Sequence, residues 1–183
     1  MRTKLFQEIY EWVKSLFIAG VLAFLIHTFL FAVVIVSGSS MEPTLHNSER
    51  LIMNKIIYNI HSPERGDIVI FHATENEDYI KRVIGLPGET IEYRNDQLYI
   101  NGKIYNEPYL DIEKQEWQSK GLLLTKDFGP ITVPKDSVFV LGDNRNNSRD
   151  SREIGAISIS RVVGKANIVI WPFSRISILR QSM

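Results

Sequence analysis

The chain begins with a long apolar segment and continues as short apolar stretches separated by turn residues. Residues 16–36 contain no Asp, Glu, Lys or Arg, and 18 of these 21 residues are apolar. A helix rises about 1.5 Å per residue, so roughly 20 apolar residues cross the ~30 Å hydrocarbon core of a bilayer. The pattern therefore predicts one N-terminal transmembrane helix over 16–36, followed by a folded domain over 37–183.

A buried core helix and a cleaved signal peptide are the other interpretations of this run. Buried helices seldom stay apolar for so long, and the apolar region of a signal peptide usually has about 7–15 residues. An uncleaved anchor is therefore favoured.

The charges on either side of the run predict its orientation. Three basic residues precede it: Arg2, Lys4 and Lys14. No Lys or Arg follows until Arg50. Because basic residues stay on the cytoplasmic side of a membrane, residues 1–15 are predicted to be cytoplasmic and the domain over 37–183 extracytoplasmic.

The domain beyond the anchor has the pattern of a mainly β protein with an antiparallel sheet. Short apolar or alternating stretches bounded by Gly, Pro, Asn and Asp indicate strands. The predicted strands are 67–71, 79–84, 90–93, 97–100, 103–105, 137–141 and 166–171. Residues 94–96 and 101–102 are predicted hairpin turns. Residues 108–130 are polar and irregular, which predicts an excursion from the sheet or a small second lobe.

Composition narrows the possible chemistry. The 183 residues include no Cys, which excludes disulfides, Cys-ligated metals and a thiol nucleophile. The 21 Lys+Arg balance 21 Asp+Glu, so the charge does not favour nucleic acid as a partner. This balance is an average over an apolar anchor with a basic flank and a slightly acidic domain.

Three segments contain side chains suited to catalysis, although each has an ordinary structural interpretation when taken alone. Residues 37–45 form a Gly/Ser turn that can expose a hydroxyl or simply mark the membrane exit. Lys81 lies in a strand, where it is either solvated or a desolvated amine with a lowered pKa. Residues 142–152 (GDNRNNSRDSR) are either a polar surface hairpin or a loop whose side chains hold an active site in position through hydrogen bonds.

Together these segments resemble the type I signal peptidase family, the membrane-anchored serine proteases that remove signal peptides from exported proteins. The matching motifs occur in family order: 39–45 (SSMEPTL), 65–71 (RGDIVIF), 79–89 (YIKRVIGLPGE) and 142–152. One anchor and a compact domain are similar to the enzymes of Gram-positive bacteria. The resemblance implies an antiparallel β catalytic domain of signal-peptidase type.

The resemblance also implies roles for individual residues. Ser40 would be the nucleophile, Lys81 the general base, and the Ser148 hydroxyl would orient the lysine amine. The residues expected to hold the site through ion pairs are Asp143, Arg82, Asp150 and Arg152. The Ser40 N–H would supply part of the oxyanion hole. No metal or organic cofactor is needed.

The expected partners follow from the same resemblance. They are preproteins that carry a signal peptide with small residues at positions −1 and −3, the lipid bilayer, and a nearby secretion translocon. The expected localisation is the cell membrane, with a single span.

Two positions depart from the family pattern. Gly38 stands where some members have a Ser that adds a hydroxyl to the oxyanion hole. Asn146 stands where the usual Gly-Asp-Asn-Arg-Asp pattern has a carboxylate, so an amide keeps a hydrogen bond but not an ion pair.

Two other functions fit parts of the sequence. One is a Ser–His hydrolase that uses His46, His61 or His72, although no Gly-X-Ser-X-Gly elbow is present. The other is a membrane-anchored binding protein without catalytic activity. The Asn146 substitution is compatible with this function, and the presence of Ser40 and Lys81 argues against it.

Overall fold

A long helix precedes the β domain. The computed structural model of the chain describes residues 2–25 and 30–179, and helix α1 spans Arg2–Leu25. Its large apolar side chains face outward; Leu16 and Phe17 are 77% and 71% exposed. Among residues 2–25 and 30–179, no helix combines the length and apolarity that crossing a membrane requires. Residues 26–29 of the predicted anchor lie outside the described residues.

The last part of the predicted anchor is a strand, which corrects the expected helix over 16–36. Strand β1 (Phe31–Ile35) pairs antiparallel with β2 (Arg50–Asn54), and Val33 lies opposite Ile52. An apolar run does not by itself distinguish a helix from a strand. The β-branched Val-Val-Ile sequence at 33–35 favours the strand, and its partner β2 was absent from the predicted strands.

The larger sheet is antiparallel and carries most of the domain. Its strands, besides β1 and β2, are β3 (Ile68–His72), β4 (Asp78–Gly85), β9 (Ser137–Leu141), β10 (Ile157–Ser158), β11 (Val162–Trp171) and β12 (Ser177–Ile178). The order is β1-β2-β11-β3-β4-β9-β10, with β12 paired to β11. The mainly β, antiparallel prediction is therefore confirmed, and the predicted strands 67–71, 79–84, 137–141 and 166–171 fall within or overlap strands of this sheet.

A second sheet contains the predicted hairpin. Its strands are β5 (Thr90–Arg94), β6 (Gln97–Ile100), β7 (Lys103–Tyr105) and β8 (Phe128–Thr132), in the order β7-β6-β5-β8. Asn95 and Asp96 connect β5 to β6 with φ of 49° and 61°, and Asn101 and Gly102 connect β6 to β7 with φ of 52° and 77°. Positive φ at both positions is typical of tight hairpin turns, and Asn, Asp and Gly tolerate it best.

The polar segment 108–130 is more regular than predicted. It contains a short 3₁₀ turn (Pro108–Leu110), helix α3 (Asp111–Ser119) and the start of β8. Helix α3 has few apolar residues, so it lacks the periodicity by which helices are recognised. The Asp96 carboxylate accepts hydrogen bonds from the N–H groups of Leu124 and Thr125, at 3.1 and 2.9 Å. The segment therefore packs with the second sheet, and residues 90–132 are called the small lobe below.

The small lobe shares a hydrophobic core with the larger sheet. Buried residues of the lobe, including Ile91 and Leu98, pack with Phe139 and Leu141 of β9. Gly85 lies at the junction, where a Cβ would approach Ile91 Cγ1 to 2.7 Å. This core fixes the small lobe beside strands β4 and β9, which flank the candidate site. Two short helices, α2 (Ile57–Ile60) and α4 (Ser151–Ile154), lie on connections of the larger sheet.

Candidate active site

Ser40 lies in the turn that connects β1 to β2. Buried Met41 and Leu45 anchor this turn, and the Leu45 N–H donates to the Met41 carbonyl at 2.9 Å. Gly38 has a φ of 89°, and its N–H donates to Asn47 Oδ1 at 2.9 Å. The backbone therefore turns sharply just before Ser40, in a conformation that glycine adopts without strain.

Lys81 lies on β4 and contacts the serine hydroxyl. Lys81 Nζ is 2.7 Å from Ser40 Oγ and 3.0 Å from the Ile80 carbonyl oxygen. The residue is only 4% exposed. Burial lowers the pKa of Lys81 to about 8, although Asp150 and Asp143 act in the opposite direction. The desolvated interpretation of this lysine agrees with its burial, and the solvated one does not.

The loop 142–152 holds the Ser40 turn through its backbone. The Asn144 N–H donates to the Ser40 carbonyl at 3.0 Å, and Asn144 Nδ2 donates to the Ser39 carbonyl at 3.2 Å. Gly142 lies against the same carbonyl, because a Cβ there would come within 2.4 Å of the Ser40 oxygen. Asn144 was not among the predicted site residues, and its position within the loop 142–152 was the only feature of the sequence that pointed to it.

Arg82 and Asp143 form a buried ion pair, as the resemblance implied. Arg82 Nε donates to Asp143 Oδ1 at 2.9 Å and Arg82 Nη2 donates to Oδ2 at 2.6 Å. Both side chains are almost completely buried. Thr44 donates its hydroxyl to Asp143 Oδ2 at 2.5 Å, and Arg82 Nη1 donates to the Gly66 carbonyl at 3.1 Å. This bidentate pair connects strand β4 to both the loop and the Ser40 turn.

Asp150 and Arg152 form a second pair within the loop. Arg152 donates from Nε to Asp150 Oδ1 at 2.8 Å and from Nη2 to Oδ2 at 2.7 Å. The same carboxylate accepts the Gly142 N–H at 3.0 Å and caps α4 by accepting the Arg152 N–H at 3.3 Å. Because Gly142 also touches the Ser40 carbonyl, this pair helps to set the position of the serine.

The structure shows no hydrogen bond between Ser148 and the lysine amine. Ser148 Oγ is buried and has no hydrogen-bond partner among the described residues. The hydroxyl faces Gly142, where a Cβ would approach it to 2.2 Å. The Lys81 amine bonds instead to Ser40 and to the Ile80 carbonyl.

A buried polar network behind the loop was not predicted. Arg145 Nε donates to the Gly142 carbonyl at 3.0 Å, and Arg145 also pairs with the fully buried carboxylate of Glu107. Tyr93 and Tyr109 both donate their hydroxyls to Glu107. Burial would raise the pKa of Glu107, but Arg145, Lys114 and Tyr109 together outweigh it, and the net shift is downward. Glu107 lies in a polar stretch of the small lobe, so nothing in the local pattern indicated its burial.

Tyr109 connects this network to the first ion pair. Its hydroxyl accepts a hydrogen bond from Arg145 Nη2 at 2.9 Å, and its ring lies 4.1 Å from the Arg82 guanidinium carbon. The small lobe therefore contacts the site through side chains as well as through the shared core.

Asn146 donates a hydrogen bond through its amide nitrogen, a donor that a carboxylate lacks. Its Nδ2 donates to the Leu124 carbonyl at 2.8 Å, and the residue is exposed. A carboxylate could not make this hydrogen bond. The substitution therefore gives the loop a link to the small lobe in place of an ion pair.

A cleft of about 260 Å³ opens beside Ser40 and Lys81. Its apolar lining comes from the β1 end, the Ser40 turn, β3 and β4; these residues are Val34, Ile35, Val36, Met41, Ile70 and Ile80. The remaining lining residues are Ser37, Ser40, Asp78, Tyr79, Lys81 and Arg149.

Among the described histidines, His46, His61 and His72, none forms a hydrogen bond with Ser40. His72 Nδ1 pairs with Asp78 at 2.6 Å, and His46 Nδ1 lies 3.6 Å from Glu42. The side chain that contacts Ser40 Oγ is Lys81. The geometry therefore favours an amine base over an imidazole base.

Comparison with known proteins agrees with these motifs. The profile of the family described as "Signal peptidase, peptidase S26" matches residues 9–171. A signal peptidase I of Bacillus amyloliquefaciens is 50% identical over 167 residues, covering 91% of this chain and 90% of the relative. Signal peptidase IB of Staphylococcus aureus (strain COL) is 42% identical over 176 residues, covering 92% of each chain.

A solved structure is also similar. The crystal structure of a signal peptidase I from Enterococcus faecalis V583 superimposes with a TM-score of 0.53 and 44% sequence identity. It covers 58% of this chain and 97% of the Enterococcus chain. With a profile match over most of its length and relatives near 50% identity, this chain belongs to the signal peptidase family, peptidase S26.

Proposed function

We propose that the chain is a serine endopeptidase that removes signal peptides from exported preproteins, with Ser40 as nucleophile and Lys81 as general base. The observation that carries the proposal is the 2.7 Å contact between Ser40 Oγ and the buried Lys81 Nζ. A neutral amine at hydrogen-bond distance can accept the hydroxyl proton during attack.

The reaction follows the logic of a Ser–Lys dyad. Ser40 Oγ attacks the scissile carbonyl carbon while Lys81 Nζ takes the hydroxyl proton, which gives a tetrahedral oxyanion. The Ser40 N–H is the expected donor to that oxyanion. Collapse breaks the C–N bond, and the Lys81 ammonium gives its proton to the departing amine. Water, deprotonated by the same amine, then hydrolyses the serine ester.

The remaining site residues are proposed to position these two groups. The pairs Arg82–Asp143 and Arg152–Asp150 connect β4, the loop and the Ser40 turn, so each fixes the serine relative to the lysine. The Ser148 hydroxyl is buried beside this turn and is the expected partner of the amine once substrate is bound, since catalytic hydrogen bonds often form only in the complex.

The cleft supports the proposed substrate class. Apolar side chains line it next to the dyad, which suits small residues at −1 and −3 of an extended peptide. The relatives carry the name signal peptidase I, which supports preproteins with signal peptides as the substrates.

We further propose that the chain is attached to the cell membrane through its N-terminal apolar run. The outward apolar side chains of α1, such as Leu16 and Phe17, support contact with lipid. Trp171 and Phe173 add exposed aromatic rings to the domain itself, at 45% and 73% exposure, and aromatic rings of this kind favour the headgroup layer. The basic N-terminal flank orients the N-terminus to the cytoplasm and places the domain outside, near the secretion translocon.

The catalytic assignment is tested by precursor cleavage. Ser40→Ala and Lys81→Ala should each abolish cleavage between the −1 and +1 residues of an exported precursor. Ser160→Ala and Lys135→Ala, which remove an exposed serine and an exposed lysine, are the matched controls and should cleave normally. Full activity in either dyad variant would refute the assignment, and activity lost only in His72→Ala would favour an imidazole base.

The membrane assignment is tested by labelling, because the chain has no Cys. A single cysteine at Thr3 should be protected from a membrane-impermeant maleimide in intact cells, and one at exposed Asn76 should react. Equal labelling at both positions would contradict the proposed orientation.

A further inference from the structure

Three charged side chains line the cleft among the described residues: Asp78, Lys81 and Arg149. The Lys81 amine is occupied by Ser40, and the Asp78 carboxylate is paired with His72 at 2.6 Å. Arg149 is the lining charge that remains available to a bound peptide.

The Arg149 guanidinium has only a weak partner in the structure. Its Nε lies 3.9 Å from Glu153 Oε2, and both side chains are 64% exposed. Exposed ion pairs of this kind contribute little. A ligand carboxylate could therefore replace Glu153 with little loss of free energy. A guanidinium binds a carboxylate by donating two parallel hydrogen bonds to it.

Arg149 lines the cleft, and its neighbour in the chain places its backbone close to the Ser40 turn. It follows Ser148 directly, and the Ser148 hydroxyl and the Ser40 carbonyl both contact Gly142. Asp78, by contrast, precedes Lys81 by three residues on β4, which is about 10 Å along an extended strand. The cleft is therefore positively charged near the scissile bond and negatively charged about three residues away.

We propose that Arg149 is a specificity-determining residue that selects an acidic side chain within two positions of the scissile bond. The inference rests on the proposed function, because it concerns the peptide that this site cleaves. The selected carboxylate binds the guanidinium as the peptide lies over the apolar floor. A lysine at the same position is repelled by Arg149.

The test compares peptides that differ only in charge near the cleavage site. A reference peptide with Ala at −1 and −3 carries Glu, Gln or Lys at −2, +1 or +2, and kcat/KM is measured for each. The readout is the ratio of kcat/KM for Glu to that for Lys at each position, within one enzyme. This ratio cancels any general loss of activity in a variant.

At one or more of the three positions the wild-type ratio should be about tenfold, the size expected from attraction of one charge and repulsion of the other at a partly exposed site. Arg149→Gln should bring the ratio close to one, and Arg149→Glu should invert it. High salt should reduce it in the wild type, because salt screens exposed charges.

Arg94→Glu is the matched control. Arg94 is exposed on β5 and contacts Glu92 and Tyr99 in the small lobe, outside the cleft lining. The Arg94→Glu substitution changes the net charge by the same amount as Arg149→Glu, and this variant should keep the wild-type ratio of kcat/KM. A ratio that Arg149→Glu leaves unchanged, while the Gln peptides are cleaved, overturns this inference alone. Wild-type protein that cleaves none of the peptides overturns the proposed function as well.

Discussion

The activity should follow the protonation of Lys81. Only the neutral amine can accept the Ser40 proton, so changing the pH changes the fraction of enzyme that is active. Lys81 is 4% exposed, and this burial lowers its pKa to about 8. The active fraction should therefore rise with pH through 8 and then level off.

The size of the effect follows from this pKa. With a pKa of about 8, roughly 1% of the amine is neutral at pH 6, about 9% at pH 7 and half at pH 8. An ordinary lysine would be neutral to only about 0.03% at pH 7. The value of kcat/KM should therefore fall about fivefold from pH 8 to pH 7 and about tenfold for each pH unit below pH 7.

The assay measures kcat/KM for an internally quenched peptide without titratable side chains, from pH 5.5 to 9.5 at constant ionic strength. Circular dichroism at each pH separates loss of activity from unfolding, and Ser40→Ala gives the background. A flat profile between pH 6 and 8 would refute the lysine base. A rise that continues up to pH 9.5 without levelling off would refute the claim that burial lowers the pKa of Lys81.

Three further predictions concern stability, each measured by urea unfolding of the full chain. Lys81→Met should be inactive but more stable by about 2 kcal/mol at pH 7, the gain from removing a depressed pKa less the lost hydrogen bonds. Because the unfolded chain binds more protons between about pH 8 and 10.5, the wild type gains stability over that range. Above it only the lost hydrogen bonds remain, so Lys81→Met should become the less stable of the two; a difference independent of pH would contradict this. Glu107→Gln should destabilise by about 3–5 kcal/mol, because it leaves the Arg145 charge buried and unpaired; a loss below 1 kcal/mol would show the pair to be dispensable. Asn146→Asp should cost about 1 kcal/mol, because a carboxylate cannot donate to the Leu124 carbonyl; increased stability would mean that the carboxylate finds an arginine instead.

The strands of the domain could be predicted because local pattern determines them. Ile68–His72 and Asp78–Gly85 are β-rich runs bounded by turn residues, and the hairpin turn at 95–96 has the residues that its positive φ requires. Helix α3 could not be predicted in this way, because it has no apolar face of its own and packs as part of the small lobe. The strand β1 was hidden inside a longer apolar run.

The residues of the candidate site could be predicted from the sequence, but their burial and their ion-pair partners could not. Ser40, Lys81 and the loop 142–152 are visible in the sequence, and the structure brings them together. The burial of Lys81 depends on strands distant in sequence, so a single strand pattern allowed both a solvated and a desolvated amine. Glu107 was missed for the same reason, since its partner Arg145 lies 38 residues away.

The arrangement of ion pairs explains how a buried lysine keeps a pKa low enough to act as a base. Asp143 and Asp150 both raise the pKa of Lys81, and an unpaired carboxylate near a buried amine would hold its proton. Each carboxylate is bound in bidentate fashion by its own arginine, Arg82 or Arg152. The arginines therefore offset most of the negative charge that the amine would otherwise meet, and desolvation prevails. The two pairs therefore do more than hold the loop in place, because they allow the lysine amine to lose its proton at about pH 8.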